Sequence, residues 1–575
     1  MTRSLTPKNQ TLDRSRLTWQ DGLLILAVIT VLLVIVRTAS QLTGDYQPDV
    51  IISTDLDQLP SYTAQTLLRM GAAYFLSLIF SLVYAYSAYR FPLAAKVLIP
   101  LLDILQSIPV LSFLPGVVLA LIALFPGQRI GIELAAILLI FTGMTWNLVF
   151  SFYQSLSSIP KELLEVAKVY HLNSWQRFWS VELPSGILGL VWNSVMSVAG
   201  GWFFLMAIES FTLGDRSFRL PGLGSFLAQA SDQGDFIAIA WGVAVLIGII
   251  ILLDFLVWKP LIAWAEKFKL ETVESQNIPQ SIVLDFLRRS PTWRIVTERF
   301  GQLWSDKISQ RIVKANPTST PVLPSKSDQN WWSRIFLTGF GFMVLWGTWE
   351  GVILLQKLDF QDWKQVITGA ILTALRVIIA LFLSLLWTVP VGVAIGRNPR
   401  LAQTLQPLVQ IAASVPATAL FPVLLLFLAR LGGGLQIGSV ALMMLGTMWY
   451  ILFNVIAGAQ AIPSELFEAA SIYKLSLVLR WQTVILPGIF PYLITGMITA
   501  VGGAWNASIV SEYVQFQNQT LITPGLGSLI SQATETGNYP LLFASTAVMS
   551  LLVVLTNRLI WRKLYQFARS KYQLL

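Results

Sequence analysis

Few residues in this chain could carry chemistry. There is one histidine, His171, and no cysteine. Disulfides, iron–sulfur clusters and thiolate metal sites are thereby excluded, and histidine-based metal sites and triads nearly so. No GxxxxGK[ST] run occurs, so the chain has no phosphate-binding loop of its own. What remains is a set of polar residues inside long apolar runs, where ionisable groups are functional candidates by default. Arg69 and Arg376 sit near the starts of two such runs, and Glu209 and Glu512 sit late in two others. Trp202, Trp505 and Asn506 stand beside glycine pairs; their N–H groups can donate to a solute, or the glycines serve close helix packing. Ser107, Pro109, Ser414 and Pro416 interrupt two further runs, where freed backbone groups either line a cavity or mark a kink.

A second set of residues comes as a duplicated segment. The first copy reads IPKELLEVAKVYHLNSWQRFWSVELP from Ile159, and the second reads IPSELFEAASIYKLSLVLRWQTVILP from Ile462. Pro160 and Pro463 suit a first helical turn. Glu162 and Glu465 complement the helix dipole there. Small residues follow (Ala167; Ala469 and Ala470), then apolar ones, then Leu183-Pro184 and Leu486-Pro487 as stops. Each copy predicts a short amphipathic helix, an elbow and a return into an apolar run, with a small-residue face able to admit a groove on a partner.

These residues must be positioned by membrane spans. The chain has 575 residues, 55% hydrophobic and 12% charged, against roughly 45–50% and 25% in soluble domains. Apolar segments fall at about 19–36, 66–88, 97–124, 132–153, 185–212 and 236–258, then at 335–355, 369–395, 404–429, 437–458, 488–510 and 541–561. The expectation is an all-α polytopic membrane protein of about twelve transmembrane helices. A basic start and an acidic first loop place the N-terminus in the cytoplasm, and the basic tail places the C-terminus there too. The net charge of +9 is read as positively charged cytoplasmic loops, not a nucleic-acid partner.

The halves repeat. Arg69, Ser107 and Pro109 match Arg376, Ser414 and Pro416 at one spacing. Trp146, Ile159, Glu209 and the run Pro221-Gly222-Leu223-Gly224 match Trp449, Ile462, Glu512 and Pro524-Gly525-Leu526-Gly527 at a spacing four residues shorter. Six spans per unit give both units one orientation, a parallel duplication with a pathway at the shared interface. The expected organisation is a first repeat over 1–258, a basic cytoplasmic linker over 259–333 and a second repeat over 334–575. The Pro-Gly-Leu-Gly runs are expected outside, either as tight turns or as contacts for a partner.

The duplicated segment resembles the EAA loop of ATP-binding-cassette importer permeases, and the flanking runs resemble the nitrate/sulfonate/bicarbonate subgroup in its fused, duplicated form. The resemblance covers nearly all of the chain except 259–333. It implies a type I importer permease-like fold in a bacterial inner membrane, two ATPase subunits, an extracytoplasmic solute-binding protein and a small-anion substrate. No cofactor is implied in this chain; ATP and Mg belong to the partner. By motif position Glu165, Val166 and Ala167 form the first EAA triplet and Glu468, Ala469 and Ala470 the second. Glu162, Tyr170, Leu183, Pro184, Glu465, Tyr473, Leu486 and Pro487 complete the ATPase-coupling set. The usual loop glycine is replaced by His171 and Lys474, so the elbow must turn without a permissive residue.

In an anion path Arg69 and Arg376 would concentrate the solute at the entrance. Glu209 and Glu512 would be out of place unless they are structural partners of those arginines, which is the expectation. A 6+6 secondary transporter of major-facilitator type shares the span count and lacks the paired segments. A membrane-embedded enzyme lacks chemistry here.

Overall fold

The computed structural model describes residues 52–106, 108–126, 128–213, 216–268, 281, 283–285, 342, 345–421, 424, 434–516 and 519–572. In the first half, helix α1 (Leu59–Arg90) is followed by α2 (Pro92–Leu105), α3 (Leu114–Leu124), α4 (Ile130–Ser157), the short α5 (Lys161–Val169) and α6 (Leu183–Glu209). A hairpin of β1 (Ser210–Leu213) and β2 (Arg216–Arg219) leads to α7 (Leu223–Gln233) and α8 (Phe236–Leu253).

The second half repeats this order. It runs through α9 (Phe360–Arg397), α10 (Pro399–Ser414), α11 (Gly434–Ala461), the short α12 (Ser464–Ile472) and α13 (Leu486–Ser511). The hairpin of β3 (Tyr513–Phe516) and β4 (Gln519–Ile522) then precedes α14 (Leu526–Glu535) and α15 (Tyr539–Thr556).

Among the described residues, 8 helices are long and apolar enough to cross a membrane. The predicted span at 19–36 lies outside the described residues, and of 335–355 only residue 342 and the short apolar helix Leu345–Leu355 are described. The run at 97–124 is not one helix. It ends at Leu105 and resumes through a 3-10 turn, Val110–Phe113, into α3. Pro109 has no N–H to continue the ladder. The helix of the sixth run passes the expected boundary at 258 and ends at Phe268; the rest of the expected linker, apart from 281 and 283–285, lies outside the described residues.

Local chemistry fixes the ends. Asp235 caps α8 by accepting from the Ile237 and Ala238 N–H groups, and Asn538 caps α15 from the equivalent place. Gly234 and Gly537, just before them, take positive φ values of 68° and 66°, as a left-handed turn requires. The halves pack as triplets, α1 with α4 and α6, and α9 with α11 and α13. Across the interface β1 lies on α14 and β3 on α7, so each hairpin rests on the other half. One core cluster runs through both halves, including Met144, Trp202 and Trp505.

Candidate functional site

Each half holds a buried ion network near its hairpin. Arg69 Nη1 donates to Glu209 Oε1 at 2.6 Å, and its Nη2 donates to the Pro221 carbonyl at 2.8 Å. Thr66 Oγ1 donates to Glu209 at 2.8 Å and accepts the Leu223 N–H at 2.9 Å. The Gly224 N–H closes the ring on Glu209 Oε2 at 2.6 Å. The second half is built alike: Arg376 to Glu512 at 2.7 Å, Thr373 to Glu512 at 2.8 Å and the Gly527 N–H to Glu512 at 2.9 Å. Both glutamates are fully buried. A Cβ on Gly222 or Gly525 would run into those carboxylates. The Pro-Gly-Leu-Gly runs are therefore wrapped around the glutamates, which is why glycine stands there.

The two networks differ in one partner. Arg69 also holds Glu133, at 2.5 Å and 3.0 Å. Gln436 stands at the equivalent place in the second half. There Arg376 Nη2 turns to Thr523 Oγ1 at 2.9 Å, where the first half has Leu220. Sequence reasoning missed Glu133 because it opens α4 just after Arg129 and reads as an ordinary charge in a first turn.

None of the four ion-pair residues lines the cavity between the halves. That cavity holds about 330 Å³. Its walls include Trp146 and Trp449 from equivalent helix positions, Tyr450 and Phe203, with amides from Gln106, Asn147, Gln410 and Asn506. Among the described lining residues there is no Asp, Glu, Lys, Arg or His. Of the expected path residues, Pro416 and Asn506 are in the wall. Asn506 also ties the halves together by accepting the Val110 N–H at 2.8 Å. Pro109 is buried beside this contact. Trp202 and Trp505 are buried in the core instead, 2% and 3% exposed. Ser107 lies outside the described residues, and Ser414 ends α10. The duplicated Trp146 and Trp449 were the available signal for the cavity wall.

A second cavity of about 270 Å³ opens on the hairpin side. Asp232 and Glu535 reach it from equivalent positions on α7 and α14. Arg219 pairs with Asp232 at 3.2 Å, and the Tyr513 hydroxyl donates to Glu535. Burial pushes both carboxyls above their ordinary range, opposed by Arg219 at Asp232.

At the opposite end of each half stands the duplicated segment. Helix α5 ends with the His171 N–H on the Lys168 carbonyl at 2.9 Å and the Leu172 N–H on the Ala167 carbonyl at 3.0 Å. Helix α12 ends identically, Lys474 on Ser471 and Leu475 on Ala470, both at 3.0 Å. This is the Schellman closure, which needs a left-handed residue and usually takes glycine. Here His171 and Lys474 both hold φ of 50°. A π-helical turn then leads back into each span, Phe178–Glu182 and Trp481–Ile485.

The expected small-residue face is turned inward, since Ala167 and Ala470 are each 2% exposed. Ala469, Leu183, Pro184 and Pro487 are half-buried. What faces out is Glu162, Glu165, Glu465, Glu468 and Leu486, with Tyr170 and Tyr473 at 74% and 79% exposure. Val169, Ile472 and Trp175 add apolar surface.

Similarity to known proteins follows the same repeat. The model of the family described as "Binding-protein-dependent transport system inner membrane component" matches residues 73–258 and again 388–561. The taurine transport system permease protein of Escherichia coli (strain K12) is 26% identical over 180 residues, 31% of this chain and 62% of that protein. The nitrate import permease protein of Leptolyngbya laminosa is 26% identical over 187 residues, 32% of this chain and 63% of that protein. A bicarbonate transport system permease protein of Synechocystis sp. is 28% identical over 123 residues, 21% of this chain and 42% of its own length. The chain thus spans a little under two thirds of the length of the first of these relatives.

Proposed function

The chain belongs to the binding-protein-dependent transport system inner membrane component family, matched in two copies, and from that premise we propose that it is the fused membrane subunit of an ATP-driven importer. In this reading the chain supplies both halves of the pathway and hydrolyses nothing itself. Two ATPase subunits bind ATP and Mg, dock on the segments around α5 and α12, and an extracytoplasmic binding protein delivers the solute to the hairpin side. The segments then face the cytoplasm of a bacterial inner membrane, with both chain termini on the same side. The solute is a small anion of the kind named for the relatives: nitrate, taurine or another sulfonate, or bicarbonate.

The observation that carries this reading is the pair of matched, outward faces at the end of the bundle away from the hairpins. Each presents acids with an exposed tyrosine and an aliphatic side chain, Val169 or Ile472. A partner that buries such a surface gains roughly 25 cal/mol for each Å² of apolar area removed from water. Closing an ATPase pair would draw the two segments together, and the triplets would rock about the central cavity. This is a population shift driven by contacts that differ between the two states. In the cavity, amide and indole N–H groups would coordinate an oxyanion without a fixed cation, which favours passage over tight retention.

The test is association of the purified chain with its ATPase subunit. Tyr473→Ala with Glu468→Ala should weaken the complex at least tenfold and lower coupled ATP turnover. Unaltered association and turnover would refute docking at these segments.

A further inference from the structure

Two arginines recur near the two coupling segments, with a buried carboxylate partner in the first half and none among the described residues of the second. In the first half Arg177 Nε donates to Glu182 Oε1 at 2.7 Å, and Glu182 is fully buried. Arg90 closes the last turn of α1 on the same side of the half. Both arginines recur as Arg480 and Arg397, and the carboxylate does not: Ile485, 6% exposed and part of a core cluster, stands in the place of Glu182.

The two guanidinium groups meet on one helix. Arg397 lies over the Phe467 ring, 3.3 Å from its centroid. Arg480 Nη2 donates to Ser471 Oγ at 2.8 Å. Phe467 and Ser471 are one turn apart on α12, and Ser471 Oγ donates to the Phe467 carbonyl at 2.9 Å. Arg480 Nε is buried with no hydrogen-bond partner among the described residues. Among the described residues no carboxylate pairs with either arginine, and their like charges repel. A buried guanidinium donor left open is costly, and two adjacent forks present the geometry that oxyanions of phosphorus fit.

We propose that the Arg397–Arg480 pair at the base of the second coupling segment binds a phosphate oxyanion, supplied by the headgroup of an anionic phospholipid, and that the first half has no such site. The placement favours lipid as the source. Arg397 ends an apolar span, where long basic side chains reach for headgroups. Leu401, four residues on, keeps 39% of its surface exposed, as contact with acyl chains requires. The lipid charge would do for Arg397 and Arg480 what Glu182 does for Arg177, holding the second segment in place only while the headgroup is bound. This rests on the reading of that end as cytoplasmic; the lipid measurement itself needs neither ATPase nor solute, so its failure leaves the importer reading standing.

The test uses the full-length chain, delipidated in a neutral detergent, with thermal unfolding as the readout. Added phosphatidylglycerol should raise the midpoint by at least about 2 °C, and phosphatidylcholine should not. Ile485→Glu supplies the missing carboxylate and should abolish the phosphatidylglycerol shift. Arg397→Gln with Arg480→Gln should abolish it too, which keeps the test open if Ile485→Glu does not fold. Millimolar inorganic phosphate giving the same shift would assign the site to free phosphate rather than lipid. No shift in the wild type, or a full shift retained in both variants, overturns the proposal. A wild type indifferent to lipid whose ATPase affinity falls with Ile485→Glu also overturns it, since the anion would then come from the docked protein.

Discussion

Arg376 reaches Glu512 at 2.7 Å with no second carboxylate beside it among the described residues, whereas Arg69 shares its charge between Glu209 and Glu133. The two halves hold the same brace, between the start of one span and the end of another, with different reserves. Breaking a buried pair by removing one partner costs about 3–5 kcal/mol, because a charge is left behind without compensation. Glu512→Gln should therefore approach that cost, and Glu209→Gln should fall well below it because Arg69 keeps Glu133. Thermal unfolding and yield of folded protein measure the difference. Equal losses would mean that Glu133 does not share the load.

The elbows give a prediction of opposite sign. A side chain in the left-handed region costs roughly 1–2 kcal/mol, which glycine avoids at some expense in unfolded-state entropy. His171→Gly and Lys474→Gly should each stabilise the protein by about 1 kcal/mol, seen as a higher unfolding midpoint. Val at either position should destabilise by more than that. A glycine variant less stable than the wild type would show that the His171 or Lys474 side chain makes a contact worth more than the strain.

The glycines separate fold from path. A Cβ on Gly525 would collide with the Glu512 carboxylate, while one on Gly502 meets nothing within 4 Å among the described residues, and Gly502 lines the central cavity. Gly525→Ala should lose folded protein. Gly502→Ala should keep folding and ATPase association, yet slow transport several-fold by narrowing the passage. Normal transport by Gly502→Ala would remove this cavity from the route.

Much of this architecture was legible in the sequence because the duplication doubled every signal. The matched Arg and Glu positions, the two EAA-like segments and the Leu-Pro returns each occur twice at nearly constant spacing, and the structure repeats them element for element. The missing glycine at His171 and Lys474 pointed to an elbow of altered shape, whereas both residues take the left-handed turn that a glycine would, at positive φ. The cavity wall was harder. Trp202 and Trp505 were the expected tryptophans, yet Trp146 and Trp449 line the cavity, because the outcome depends on how each span is rotated about its axis. Spans that are apolar nearly all round carry little such information: helix α8 has an apolar run with no polar stripe to orient it. The inward turn of Ala167 and Ala470 was hidden for a related reason, since a small residue serves equally for a partner's groove or for close packing within the chain.

The central claim is that a neutral cavity between two fused halves is worked by ATPase subunits held on the two coupling segments. Its most direct measurement is uptake into proteoliposomes holding the full chain and its ATPase subunits, supplied with a loaded solute-binding protein and radiolabelled nitrate, taurine or bicarbonate in turn. The account predicts that one of these solutes accumulates only with ATP, and that Tyr473→Ala with Glu468→Ala abolishes accumulation. Uptake that ignores ATP and follows a proton gradient would contradict it.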